Sequence, residues 1–289
     1  LTFLAAPLLL LQGCATVPAH APAAQATAAP AEGIVSAADP RAAAAGIEIL
    51  KAGGNAVDAA IATMLALNVV EPQNSGIGGG LFFVRHDGKT GALETIDGRE
   101  TAPKAATPQW FYGADGKPLP PREAYVGGKS AGVPGAVAAM WEAHRRHGKL
   151  AWARLFDPAI HLARDGFVVS QRLHNGLALQ GRHVTGWAKA TYLPNGEPVA
   201  TGSTLRVPAL ADTLEALAKD GPPAFYRGAN PKEIAQALDS AETSPSNMTA
   251  GEIEGYQAKP RPPICGTYRA YKICGMGPPS SGEITVLMI

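Results

Sequence analysis

The chain has 289 residues, 46% hydrophobic and 17% charged, enough apolar sequence for a full core; this excludes a disordered chain, a coiled coil and a disulfide-stapled miniprotein. Lys and Arg total 25 against 24 for Asp and Glu, so the formal charge of +1 gives no general attraction to nucleic acid or anionic lipid. Gly at 33 and Pro at 25, without a period, fit a globular α/β chain with many turns, and three cysteines are too few for a covalent scaffold.

Residues 3–11 form an apolar run, far short of the ~20 residues that a membrane-spanning helix needs, and it ends in Leu11-Gln12-Gly13-Cys14. That ending is similar to a bacterial lipobox, so residues 1–14 read as a lipoprotein-type signal peptide with Cys14 as the acylated residue; a plain secretory signal with a coincidental cysteine is the alternative. No Met precedes the run, so the start of the gene is expected upstream of Leu1. Residues 15–32 are dominated by Ala and Pro and read as a tether, and residues 33–289 as the folded region. Anchor, tether and domain in that order put the domain outside the cytoplasm, in the periplasm, held to a membrane by lipid at Cys14, where disulfides can form.

In the folded region, Asp39-Pro40 supplies an N-cap and first-turn proline for a helix over 42–51, which Gly53-Gly54 stops. Asn55 and Asp58 open a second helix over 56–70, apolar nearly all round and therefore expected at the domain centre. Glu71-Pro72 ends it, a loop through Gly78-Gly79-Gly80 follows, and strands are predicted over 81–84 and 92–97 with a hairpin loop starting at Asp87-Gly88. The polar, Pro- and Gly-rich stretch 107–130 reads as a surface excursion. Helices are predicted over 134–147, 150–164, 208–219 and 231–241, and Thr249 with Glu252 marks a short capped one. Residues 263–275 read as two strands turning near Arg269-Ala270. That turn sets Cys265 opposite Cys274, as either a cross-strand disulfide or two buried thiols. The chain reaches Ile289 in the apolar run 284–289, which would lie uncovered at the end of a complete soluble domain, so a further C-terminal part is expected.

Chemistry is sparse in the local motifs. The triple glycine follows a helix and opens a strand, the reverse of a dinucleotide loop; it reads as close backbone packing or as the border of a substrate pocket. His144 and His147 stand at helical spacing beside two arginines at a helix end, a solvated cap rather than a metal pair, and His20, His86, His161, His174 and His183 are scattered. No Gly-x-Ser-x-Gly elbow or Walker A sequence is present. Arg99 stands out at the end of the second strand. By the period of two, Asp97 shares its face and could hold the guanidinium for two parallel hydrogen bonds to a carboxylate; a surface ion pair with Asp97 or Glu100 is the bland reading.

Several segments together resemble one family. Gly33-Ile34-Val35-Ser36, the run from Ile49 to Ala60, Gly78-Gly79-Gly80, Arg99-Glu100-Thr101-Ala102-Pro103, the run from Ala163 to Phe167 and Pro278-Pro279-Ser280-Ser281-Gly282 are similar, in unbroken order, to the large subunit of γ-glutamyltranspeptidases. The resemblance implies an α/β fold, the αββα sandwich of N-terminal-nucleophile hydrolases, of which this is the large-subunit part. It implies γ-glutamyl transfer and hydrolysis of glutathione and other γ-glutamyl amides, with an amino acid, peptide or water as acceptor. Autocatalytic cleavage would release a small subunit whose first residue is the nucleophilic threonine, beyond Ile289. Arg99 matches the arginine that binds the donor α-carboxylate; no cofactor and no metal are implied. Two departures bear on the pocket: Gly98 where an aromatic residue is common, and Glu283 where a second glycine is usual. The competing readings are an amidase of the cephalosporin-acylase type and a lipid-anchored homologue without activity.

Overall fold

The structure, a computed structural model, describes residues 33–289; the segment 1–14 with Cys14 and the tether 15–32 lie outside the described residues. In chain order the elements begin with α1 (Pro40–Lys51), α2 (Ala56–Val70), β1 (Leu81–His86), β2 (Leu93–Gly98), α3 (Pro121–Tyr125), α4 (Ala136–His147) and α5 (Asp157–Asp165). They continue with β3 (Phe167–Val168), α6 (Gln171–Gln180), α7 (Gly186–Tyr192), β4 (Thr204–Leu205), α8 (Pro208–Asp220), α9 (Pro223–Tyr226) and α10 (Asn230–Asp239). The last are α11 (Ala250–Glu254), β5 (Lys259–Arg261), β6 (Ile264–Tyr268), β7 (Tyr271–Gly275) and α12 (Gly282–Leu287).

Helix α2 is the hub of the core. Its apolar side chains face neighbours on most sides, Ile61, Leu65, Val69 and Val70 being fully or almost fully buried, and α1, α4 and α5 pack around it. The helix starts where the sequence says it should: Asn55 accepts hydrogen bonds from the N–H groups of Val57 and Asp58, and Asp58 accepts one from the Asn55 N–H, a reciprocal cap. Asp58 is fully buried, and its carboxylate is satisfied from elsewhere in the chain by the N–H groups of Lys149 and Leu150. Asn55 Nδ2 donates to the His147 carbonyl at 2.6 Å, so the start of α2 and the end of α4 are one polar joint inside an apolar core.

β1, β2 and β5 form an antiparallel sheet in the order β1-β2-β5, with Leu81 opposite Gly98 and Asp97 opposite Lys259. Helix α4 lies against β1 and β2. Gly98 permits that approach: a Cβ on it would sit 2.4 Å from the Ala139 Cβ, so no larger residue fits while α4 keeps its place. β6 and β7 pair as a separate hairpin turning at Arg269 and Ala270, where Arg269 adopts a φ of 54°; Cys265 faces Cys274 and the two are disulfide-bonded.

Some sequence expectations need correction. The predicted helix over 150–164 is a 3-10 turn, Trp152–Phe156, followed by α5, because Pro158 has no N–H with which to continue the earlier turn. Helices α6 and α7 occupy sequence not predicted to be helical. His144 and His147 are partly buried and bonded rather than a freely solvated cap: the first bonds the Leu150 carbonyl at 2.9 Å, the second Glu94 at 2.9 Å.

At the N-terminus of α1, Asp39 caps the Arg41 N–H and grips its guanidinium, which also reaches the Val168 carbonyl and lies over the Phe167 ring. Burial alone would raise the Asp39 carboxyl, but these bonds and the Arg41 charge hold it below its ordinary value. A lowered folded pKa contributes stability above the unfolded value of about 3.9, which is lost as pH falls through the folded one. Asp39→Ala is expected to lower unfolding free energy by about 1–2 kcal/mol at pH 7. The deficit should shrink below about pH 4 in urea titrations; a deficit that stays constant would show that the charge of Asp39 contributes nothing.

Candidate active site

β2 delivers Arg99 to its position, and the carboxylate of Asp97 fixes the strand end. Asp97 is 6% exposed, yet both of its oxygens are occupied: Oδ1 accepts the Arg99 N–H at 2.9 Å and Oδ2 accepts Nε of Arg261 at 2.6 Å. Arg261 belongs to β5, and its own carbonyl accepts the Thr95 hydroxyl at 2.6 Å, so the two strands are cross-tied by side chains as well as by their ladder. Strand periodicity suggested that Asp97 holds the Arg99 guanidinium; it holds the Arg99 backbone N–H instead, because its other oxygen is taken by the Arg261 side chain.

The guanidinium instead pairs with the next residue, Nη1 of Arg99 lying 2.7 Å from Oε2 of Glu100, with the arginine side chain 58% exposed. An ion pair this open contributes about 0–1 kcal/mol. A carboxylate arriving from solution could therefore replace Glu100 at small cost, and gain two parallel hydrogen bonds from the guanidinium fork.

The glycine loop lies against this segment. A Cβ on Gly80 would stand 2.5 Å from Oε2 of Glu100 and 2.6 Å from the Gly98 carbonyl, so the loop backbone touches the Arg99–Glu100 corner at a distance that only glycine allows. The Gly79 carbonyl also accepts the N–H groups of Gly135 and Ala136, both at 3.0 Å, and so ties the loop to the first turn of α4. Of the two sequence readings of the triple glycine, close backbone packing is the one this geometry displays, and it brings the loop beside the Arg99–Glu100 corner.

Downstream of Arg99 the chain runs extended past Thr101, which bridges Val133. A cleft of about 320 Å³ beside this stretch is walled by Thr101, Lys104, Tyr256, Gln257 and Lys259, with Arg99 outside it. Tyr256 Oη donates to the Arg99 carbonyl at 2.7 Å, a contact across 157 positions that no local pattern announces. Of the two departures, Gly98 is a packing position under Ala139, and Glu283 of α12 lies against Gly275 of β7, where an added Cβ would be 2.3 Å from its Oε2. Among the described residues, no three His, Cys, Asp or Glu side chains are gathered as a metal site would require.

Comparison with known proteins matches residues 42–289 to the family model described as gamma-glutamyltranspeptidase. The glutathione hydrolase proenzyme of Bacillus subtilis (strain 168) is 39% identical over 259 residues, an alignment covering 89% of this chain and 44% of that protein. The crystal structure of Helicobacter pylori gamma-glutamyltranspeptidase superposes with a TM-score of 0.83 at 33% identity, over 90% of this chain and 74% of that one. Cephalosporin acylase from Bacillus halodurans superposes at 0.70 with 33% identity, over 80% of this chain and 43% of that one. The chain therefore spans less than half the length of the curated relative, and its helices and sheets are the large-subunit portion of the α/β, N-terminal-nucleophile hydrolase fold.

Asp97→Asn would turn an amide N–H group toward the Arg99 N–H or toward Arg261, and is expected to lower unfolding free energy by about 1–3 kcal/mol. Glu100→Gln, which opens only the exposed pair, should cost no more than about 1 kcal/mol. Urea denaturation of both variants checks the order; equal losses would show that Asp97 is not the anchor.

Proposed function

This chain belongs to the γ-glutamyltranspeptidase family, and from that premise we propose that the complete protein transfers γ-glutamyl groups through an acyl-enzyme, with this chain supplying the donor α-carboxylate site at Arg99. The observation that carries the proposal is the guanidinium itself: it stands on a strand end fixed by Asp97, yet is 58% exposed and, among the described residues, paired with Glu100 in an open contact. Fixed backbone with an exchangeable partner is what a carboxylate receptor needs.

The nucleophile is a threonine downstream of Ile289, freed as the first residue of a small subunit when the precursor cleaves itself. A hydroxyl attacks poorly until a base takes its proton, and the α-amine of a freed N-terminal residue, with a pKa near ~8, is such a base on the same residue. Attack on the γ-carbonyl forms the ester and expels the amine of the leaving group, which takes up the proton. Water then releases glutamate from glutathione or another γ-glutamyl amide, whereas an amino acid or peptide amine yields a new γ-glutamyl amide. The likeness to cephalosporin acylase supports a second reading, hydrolysis of a different acyl amide on the same scaffold; faster cleavage of a cephalosporin side-chain amide than of a γ-glutamyl amide would favour it.

Arg99→Lys keeps the charge but loses the fork, and is expected to lower kcat/KM for γ-glutamyl-p-nitroanilide about 10- to 100-fold, mainly through KM. Unchanged donor kinetics in the complete protein would refute the role. The proposal extends to location: acylation at Cys14 would hold the protein to a membrane on the periplasmic side. Cys14→Ala should then move it from the detergent phase to the aqueous phase on Triton X-114 partitioning, and a variant that stays with detergent would contradict the anchor.

A further inference from the structure

We infer that Tyr256 is a positioning residue for the donor site, acting through the backbone of Arg99, an inference that rests on the carboxylate-binding role given to Arg99 above. Two peptide groups flank the Arg99 Cα, and each is held by one side chain. The N–H on one side donates to Asp97 at 2.9 Å, and the carbonyl on the other accepts from the Tyr256 hydroxyl at 2.7 Å. With both peptide planes held, the direction in which the Arg99 side chain leaves the strand is set before any ligand arrives. Binding a carboxylate then has to order only the side chain, which lowers the cost of association.

Tyr256 is itself held. Its ring stacks on Tyr226 with centroids 6.3 Å apart and planes 10° from parallel, and the Tyr226 hydroxyl donates to the Pro134 carbonyl at 3.0 Å and accepts the Ala138 N–H. The first turn of α4 and the chain beyond α11 thus share one aromatic pair. Burial, with smaller contributions from the Asp97 and Glu100 charges, pushes the Tyr256 phenol up to about 12, so it stays a protonated donor across the physiological range. Room for its hydroxyl exists because residue 135 is glycine: a Cβ there would stand 2.3 Å from both the Tyr256 hydroxyl and the Gly98 carbonyl. The Gly135 N–H donates to the Gly79 carbonyl, so the glycine loop, the end of β2, the start of α4 and Tyr256 all converge on this one residue.

Tyr256→Phe removes the hydroxyl and leaves the ring to stack on Tyr226. In the complete processed protein, KM for γ-glutamyl-p-nitroanilide should rise about three- to tenfold with kcat within about twofold, the effect of one lost neutral hydrogen bond. A paired donor, 4-aminobutyryl-p-nitroanilide, has no α-carboxylate, and its kcat/KM should be unchanged. That split supports a positioning role, because a general loosening of the fold would weaken both donors alike. An unchanged KM for the γ-glutamyl donor, or an equal loss with both donors, overturns the inference. Arg99→Lys measured beside it separates the two levels. If Arg99→Lys weakens γ-glutamyl use and Tyr256→Phe does not, only the positioning role falls; if Arg99→Lys also has no effect, the donor-site reading falls first.

Discussion

A carboxylate with almost no exposure must be neutralised or fully bonded, and Asp97 meets that demand by joining the two strands that define the Arg99 corner. One oxygen holds the Arg99 N–H and the other the Arg261 side chain, so losing either partner would leave buried charge unsatisfied. The geometry of Arg99 follows from this constraint. β2 cannot shift relative to β5 without breaking the Arg261 contact, and the chain cannot turn differently at Arg99 without breaking the N–H contact. The Gly98 packing against Ala139 and the Gly80 approach to Glu100 add steric limits on the same corner.

Strong and weak interactions are divided by purpose. The joint that holds Asp58 and Asn55 to the 147–150 segment is centred on the fully buried Asp58 carboxylate and made of bonds to backbone groups, which keeps α2 and α4 in fixed relation. The Arg99–Glu100 pair is exposed and made of two adjacent side chains, so it opens at little cost. The proposed carboxylate site at Arg99 needs both rigidity in the frame and exchangeability at the guanidinium, because such a site has to be in place beforehand and still be free to take its ligand.

Much of the frame was legible in the sequence because its signals are local. Asp39-Pro40, Asn55 with Asp58, and Thr249 with Glu252 each cap the helix that they announce, and the turn at Arg269-Ala270 sets Cys265 opposite Cys274. Helix α6 was hidden by Gly176 at its middle, although Ser170 caps it and Leu173 and Leu177 bury one face. The site was legible only in part. The position of Arg99 at a strand end could be read, but its real supports could not: Arg261 lies 164 positions from Asp97, and Tyr256 lies 157 from Arg99. Periodicity offered Asp97 as a partner for the guanidinium, and tertiary structure gave that carboxylate to a strand formed much later in the chain.

The most direct measurement is a crystal structure of the complete processed protein with glutamate bound. The account predicts that the α-carboxylate lies within hydrogen-bonding distance of the Arg99 guanidinium, with Glu100 displaced from it and the Asp97 contacts to Arg99 and Arg261 intact. Glutamate seated with its α-carboxylate on other residues, while Arg99 remains paired with Glu100, would contradict it.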